Sequence, residues 1–379
     1  MREEYMALCE VLARAGVMST QKLLAMSHRR RFAAVKQAHP APWDASLLQA
    51  LGLAGLAFET ARYAGLQAAC ALRVTTQALA CTHMEKMYVR SAASFGYLYV
   101  CGGFNGREHL DNGEYLNPSG TWAGLPQTVS LRWGSSAATD RGRLYVCGGY
   151  AGRQYLRSAS FYELAAGVWE ELPPMGQRRL GAAAAVVGGQ LFVCGGRNAQ
   201  VFLDSGECYD GTDWGVLPSM GQKRLGSAMG SISGRLYICG GNCGPQVFFN
   251  SVESFDTVGS CWDQVAPMFQ RRLGAIAGTV ARRLVVCGGR DGYEFLNSAE
   301  CYDPATGAWE AIEPMSRPRS GAAAAVMCGR LYVCGGYSGQ EYLNSVECFD
   351  ALEGSWKAST PMSQSRAGMA AATLFVGEL

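Results

Sequence analysis

Three tetrapeptides in this chain combine residue types that grip an anion. Gln177-Arg178-Arg179-Leu180, Gln222-Lys223-Arg224-Leu225 and Gln270-Arg271-Arg272-Leu273 each set two cations beside a leucine. A guanidinium presents a planar fork of donors that fits a carboxylate or phosphate. The apolar neighbour offers an anchor. The second cation of each recurs in frame as Arg132, Arg319 and Arg366, so it answers a demand of the repeat. The first is extra, because Pro318 and Ser365 hold its place in later copies. Arg197 and Arg290 add to the set; each follows a Gly-Gly pair.

Other reactive residues do not assemble into a site. The 15 cysteines include six in one frame: Cys101, Cys147, Cys194, Cys239, Cys287 and Cys334, each before Gly-Gly. Cys239 and Cys243 are close together, but no histidine accompanies them as a metal-ligand set would require. Of the four histidines, His28, His39 and His83 precede the repeats and only His109 lies within them. No paired acids and no nucleophile–base set stand apart from the repeat frame, so neither an enzyme nor a bound metal or cofactor is expected.

The elements that must position these residues follow from the period. The first glycines of the six pairs, Gly102, Gly148, Gly195, Gly240, Gly288 and Gly335, are 46, 47, 45, 48 and 47 residues apart. Trp122, Trp169, Trp214, Trp262, Trp309 and Trp356 keep the same beat. In the fifth unit, Ala275 to Val280 and Leu284 to Cys287 read as strands around a turn. LNSAECYD alternates as a third strand, and Ala308 to Ile312 is a fourth after the turn at Pro304 to Gly307. Four strands per unit of roughly 40–50 residues make one propeller blade, and such a unit buries its apolar face only against a neighbour. The doublet glycines suit a corner without room for a Cβ or with φ > 0. The tryptophans suit the gaps between sheets, and the recurrent Glu and Arg suit buried backbone groups between blades.

The Gly-Gly pair, the aromatic before an acid (Tyr209-Asp210, Phe255-Asp256, Tyr302-Asp303, Phe349-Asp350), the tryptophan and the closing Pro-Met resemble the Kelch repeat over residues 90–379. Unit one has Leu116-Asn117 for the aromatic–acid pair, and unit two has Ser160 where the others have glutamate. The resemblance implies an all-β, six-bladed Kelch propeller. The last unit ends at Pro361-Met362, yet another first strand follows at 369–376. Unit one lacks a full first strand, so the C-terminal strand is expected to complete blade one and remove two free sheet edges. Frame cysteines on different blades then point around a ring, too far apart to bond. They read as small buried strand residues.

Residues 1–89 differ in character and are expected to form a small α-helical segment. Glu3 to Ala15 sets Tyr5, Leu8, Val11 and Leu12 on one side of a helix. His28-Arg29-Arg30-Arg31 is a basic cluster, and Pro40-Ala41-Pro42 breaks the chain. Beyond it, a leucine-rich opening and an Ala/Cys-containing helix at Leu66 to Leu72 look like an F-box, although the opening Leu-Pro of that family is absent. Residues 1–90 carry net +5 and residues 91–379 net −3, so bulk charge makes no case for nucleic acid. No secretory signal is evident, and the stretch from Leu47 to Phe58 is too short to span a membrane. A reduced cytoplasmic or nuclear setting follows.

The resemblance places function on one propeller face, built from the loops after Gly-Gly and the loops joining blades. Candidate partner-binding residues are Tyr150, Arg197, Asn242, Arg290 and Tyr337 from the first set. Arg178, Leu180, Lys223, Leu225, Arg271, Leu273 and Ser320 come from the second. The expected partner is a protein or peptide, acidic or phosphorylated. An F-box-like segment would add cullin-ligase components and make the chain a substrate receptor. A cytoskeletal, actin-binding adaptor is the alternative. Copper oxidases also use Kelch-like propellers but need histidine ligands, and this propeller holds the single histidine His109.

Overall fold

The computed structural model describes residues 96–117, 119–126, 132–164 and 166–375. The chain divides into two compact units, 1–94 and 95–379, and the helical expectation for residues 1–89 lies outside the described residues. Six four-stranded antiparallel sheets make up the second unit. In blade five the strands run Ile276–Val280, Arg283–Cys287, Ala299–Asp303 and Ala308–Ile312, from the innermost outward. The innermost strand of every blade touches those of both neighbours, and the contacts close into a cycle. The architecture is a six-bladed β-propeller.

Each second strand is covered on both faces by adjacent blades, which explains its unbroken apolar sequence. In Arg283–Cys287 the last four residues are at most 1% exposed. The six frame cysteines end these strands as free, buried thiols. Desolvation pushes them up to about 12, so they stay protonated at neutral pH. The glycine doublet turns the chain off the sheet. Gly288 sits at φ +67°, and a Cβ there would lie 2.4 Å from the Arg319 carbonyl oxygen, so both reasons for glycine hold at once.

Blade one is assembled from both ends of the described chain. Strand Ala370–Phe375 pairs antiparallel with Gly96–Cys101 over six residue pairs, from Gly96 opposite Phe375 to Cys101 opposite Ala370. Gly113–Leu116 and Trp122–Gly124 complete that sheet.

The frame tryptophans join blades at the rim. Trp309 Nε1 donates to the Ala266 carbonyl 2.8 Å away, and the ring packs 5.2 Å from Tyr302. Trp122, Trp214, Trp262 and Trp356 reach Thr360, Pro173, Pro218 and Glu313 in the same way. Only Trp309 is fully buried; the other five frame tryptophans are half-buried.

The first hairpin of blade five carries an avoidable strain. Five blades turn between their first two strands on two residues of positive φ, as at Arg141-Gly142 and Ser233-Gly234. Blade five uses Ala281 (φ 49°) and Arg282 (φ 63°), with no glycine. Such mirror-image turns suit glycine because an L side chain costs about 1 kcal/mol there. Both residues are exposed, so no packing is at stake. Arg282→Gly is expected to stabilise the protein by about 1 kcal/mol. A thermal melt that is unchanged or lower would refute the account.

Candidate functional site

The frame arginine is the peg on which each joining loop hangs. Arg179 N–H donates to the Leu156 carbonyl of blade two, and its own carbonyl accepts from Gly149 N–H of that blade. Its guanidinium reaches blade three, donating from Nη1 to the Gly195 and Ser205 carbonyls and from Nε and Nη2 to Glu207. The frame glutamates therefore pair with the frame arginines besides accepting from backbone N–H groups. The pairs are 179–207, 224–253, 272–300, 319–347 and 366–114. Arg132 is the exception. It donates to the Gly148 and Ser158 carbonyls, but Ser160 replaces its glutamate, and among the described residues no carboxylate lies within ion-pair distance. Burial pulls its pKa down.

Two residues past each frame arginine, a glycine of positive φ continues the joint. Gly134, Gly181, Gly226, Gly274, Gly321 and Gly368 each donate N–H to the carbonyl of the preceding one at 2.7–2.9 Å, and Gly134 donates to Gly368. These six bonds form a closed hoop around the mouth of the ring.

The same anchoring fixes where the candidate residues stand. Leu180, Leu225, Leu273 and Ser320 pair by backbone with Arg197, Asn242, Arg290 and Tyr337, so the joining loops and the Gly-Gly loops share one face. Arg178, Lys223 and Arg271 each precede a frame arginine whose N–H is bonded to the matching loop carbonyl, of Leu156, Leu203 and Phe249. They occupy equivalent corners at three successive joints and all are exposed. Arg197 is half-buried with its guanidinium 5.4 Å from the Phe202 ring centroid, and its Nε has no partner. Arg290 is exposed and lies 5.6 Å from the Phe248 centroid. Stacking holds a guanidinium in place while leaving its edge for a ligand. The strand arginines Arg143, Arg235, Arg283 and Arg330 pair within a sheet with Glu163, Asp256, Asp303 and Asp350, whereas the loop arginines Arg107, Arg153 and Arg157 are exposed and, among the described residues, in no ion pair. Arg178, Arg197, Lys223, Arg271 and Arg290 are in no such pair among the described residues. The carboxyl of Asp291 is held below the usual range by the Glu294 and Tyr293 N–H groups and then by Arg271.

Other candidates are less available. Asn242 is 7% exposed, its Nδ2 donates to the Gly244 carbonyl, and its Oδ1 has no partner. With the extra residue of unit four, Asn242 becomes part of a small hairpin, Asn242–Gly244 with Val247–Phe248. Leu180, Leu225 and Leu273 are half-buried against the hoop glycines. Ser320 Oγ donates to the Leu273 carbonyl at 3.4 Å. Tyr337 is half-buried, and its hydroxyl donates to the Gly339 carbonyl.

Tyr150 and Tyr337 belong to a larger feature that sequence reading missed. Ring contacts run from Phe295 through Tyr337, Tyr342, Phe104 and His109 to Tyr150 and Tyr155, with centroids 4.8–6.3 Å apart. This aromatic wall spans blades five, six, one and two. A signal for it was present. His109, Tyr155, Phe202, Phe295 and Tyr342 each fall six residues after the second glycine of a pair. Among the described residues no cluster of three or more His, Cys, Asp or Glu is disposed to hold a metal ion, and no helix is long and apolar enough to cross a membrane.

A propeller whose loop face carries unpaired cations and aromatic rings has the form of a binding platform. The model of the KLHDC2/KLHL20/DRC7 Kelch-repeats domain matches residues 210–378, and the Kelch motif matches 81–127, 132–176 and 178–221. The chain belongs to the Kelch-repeat family. Its propellers are in general protein-interaction scaffolds and in general not enzymes. Among solved structures, "Structure of YjhT" is similar in fold, with a TM-score of 0.59 at 16% identity, over 66% of this chain and 91% of that one. No curated protein matches the chain.

Proposed function

We propose that this propeller binds an acidic or phosphorylated segment of a partner protein on its loop face. The observation that carries the reading is the set of unpaired cations, Arg178, Arg197, Lys223, Arg271 and Arg290, at backbone-anchored positions of that face. Like charges held together repel one another, and a bound anion relieves the repulsion. Changing Arg178, Lys223 and Arg271 together to alanine is expected to leave the melting temperature nearly unchanged, since none bonds within the repeat frame. It should weaken binding of an acidic or phosphorylated peptide about tenfold or more and flatten its salt dependence. Undiminished affinity in the triple variant would overturn the reading.

Delivery of that partner to a cullin-type ligase, in a cytoplasmic or nuclear setting, is the finer form of the proposal. It rests on the F-box-like sequence before residue 90. Recovery of cullin-ligase components with the full chain but not with residues 90–379 supports it. Recovery of actin with both favours the cytoskeletal adaptor instead.

A further inference from the structure

The residue after each frame arginine forms a collar around the mouth, and the collar is uneven. Leu180, Leu225 and Leu273 lie over the hoop: a methyl placed on Gly134, Gly181 or Gly226 would meet their Cδ1 atoms at 2.5, 2.7 and 2.6 Å. Trp133 covers Gly368, with Nε1 2.5 Å from such a methyl. At blades six and one the collar residues are the short Ser320, whose Oγ would meet a methyl on Gly274 at 2.7 Å, and Ala367, which is buried. A methyl on Gly321 would meet no side chain, only the Gly368 backbone at 3.4 Å. The collar is therefore lowest at this arc, where the half-buried Gly321 has no side chain over its seat while the other five seats are covered.

The drop lies under the middle of the aromatic wall. Tyr337 and Tyr342 of blade six stand beside it, and Tyr342 meets Phe104 of blade one at 5.4 Å with the rings at 81°. In a ring of six blades, one and six face four and three across the mouth. Arg178 and Lys223, at the corners of blades three and four, therefore stand opposite the drop.

We propose that the gap at Ser320 and Ala367 is a notch for one aromatic side chain. The partner is then an extended protein segment with acidic residues toward blades three to five and an aromatic anchor at its other end. A flat ring can lie on peptide groups that no side chain covers while its edges and faces meet the surrounding rings in stacked or edge-on contacts. The acidic end answers the unpaired cations, and a single buried aromatic anchor is a usual carrier of interface energy. This inference rests on the reading of the face as a site for acidic segments, and the two can fail separately.

The test is selection from a displayed library of short random peptides against the full chain, in parallel with Ser320→Leu/Ala367→Leu. Leucine already occupies the equivalent position in blades three to five, so the frame accepts it. Ser320→Leu alone is the second variant if the double one folds poorly. The parent is expected to enrich peptides carrying both an acidic cluster and a Trp, Tyr or Phe. Replacing that aromatic by alanine should weaken binding about tenfold. The notch-filled variant should enrich acidic peptides without the aromatic. Acidic peptides with no aromatic from the parent, or an unchanged aromatic preference in the filled variant, overturn the notch and leave the basic reading standing. Aromatic enrichment without acid overturns the basic reading and the two-ended partner.

Discussion

Deletion of residues 366–379 is expected to abolish the cooperative melting of the propeller. The deletion removes the innermost strand of blade one, Ala370–Phe375, and exposes the edge of Gly96–Cys101 along its whole length. It removes Met369 and Leu374, which are 4% and 2% exposed. It also removes Arg366, whose guanidinium holds Glu114 and the Gly102 and Asn112 carbonyls and so ties blade six to blade one. Glu114 would be left buried without its cation. The sum exceeds about 5 kcal/mol, comparable to the whole folding free energy of many proteins. Calorimetry and light scattering should show aggregation or a broad, much lower transition, and a synthetic peptide of residues 366–379 should restore part of it. A truncated protein that melts like the parent would sink the closure by this strand.

The second large effect concerns the buried ion pairs. Glu300→Ala is expected to cost about 4 kcal/mol, the range for stranding one member of a buried pair. Glu300 takes two bonds from Arg272, at 3.0 and 2.8 Å, and accepts from the Phe269 and Gln270 N–H groups of the connector from blade four. Both side chains are at most 3% exposed. One substitution thus removes the counter-charge of a buried guanidinium and the acceptor of two amides. The melting temperature should fall by roughly 10 °C. Blade two supplies the converse. Ser160 sits opposite Glu171 on the outer strand, and the charge of Glu171 acts on Arg132. Ser160→Glu should restore the frame pair and raise stability by about 1–2 kcal/mol, more with Glu171→Gln, which removes the like charge across the strands. A loss of stability in the double variant would show that the joint has adapted to the serine.

The repeat was legible because the fold makes the same demand at every blade. A corner beneath a carbonyl oxygen admits only glycine, so Gly-Gly marks each one. The arginine–glutamate pairing was half legible. Both residues recur, but they stand 28–29 residues apart, and only the sheet brings them together. The placement of loop residues was legible where the chain is regular: Arg178, Lys223 and Arg271 share a frame position and stand at equivalent exposed corners. At Asn242, named because it follows Gly-Gly, an added residue extends the loop into a hairpin, and the side chain is 7% exposed. The aromatic wall was overlooked because its period sits in the loops, where a repeat is easily taken for variation.

The glycine hoop has a mechanical consequence. A chain of links with no first or last member has nowhere to begin unzipping, and every link points the same way around the axis. Loosening any one blade in the plane of the ring must lengthen two links at once, and the other four share the load. Leu180, Leu225 and Leu273 rest on those links, so pressure on the collar at one blade is borne as tension by all six.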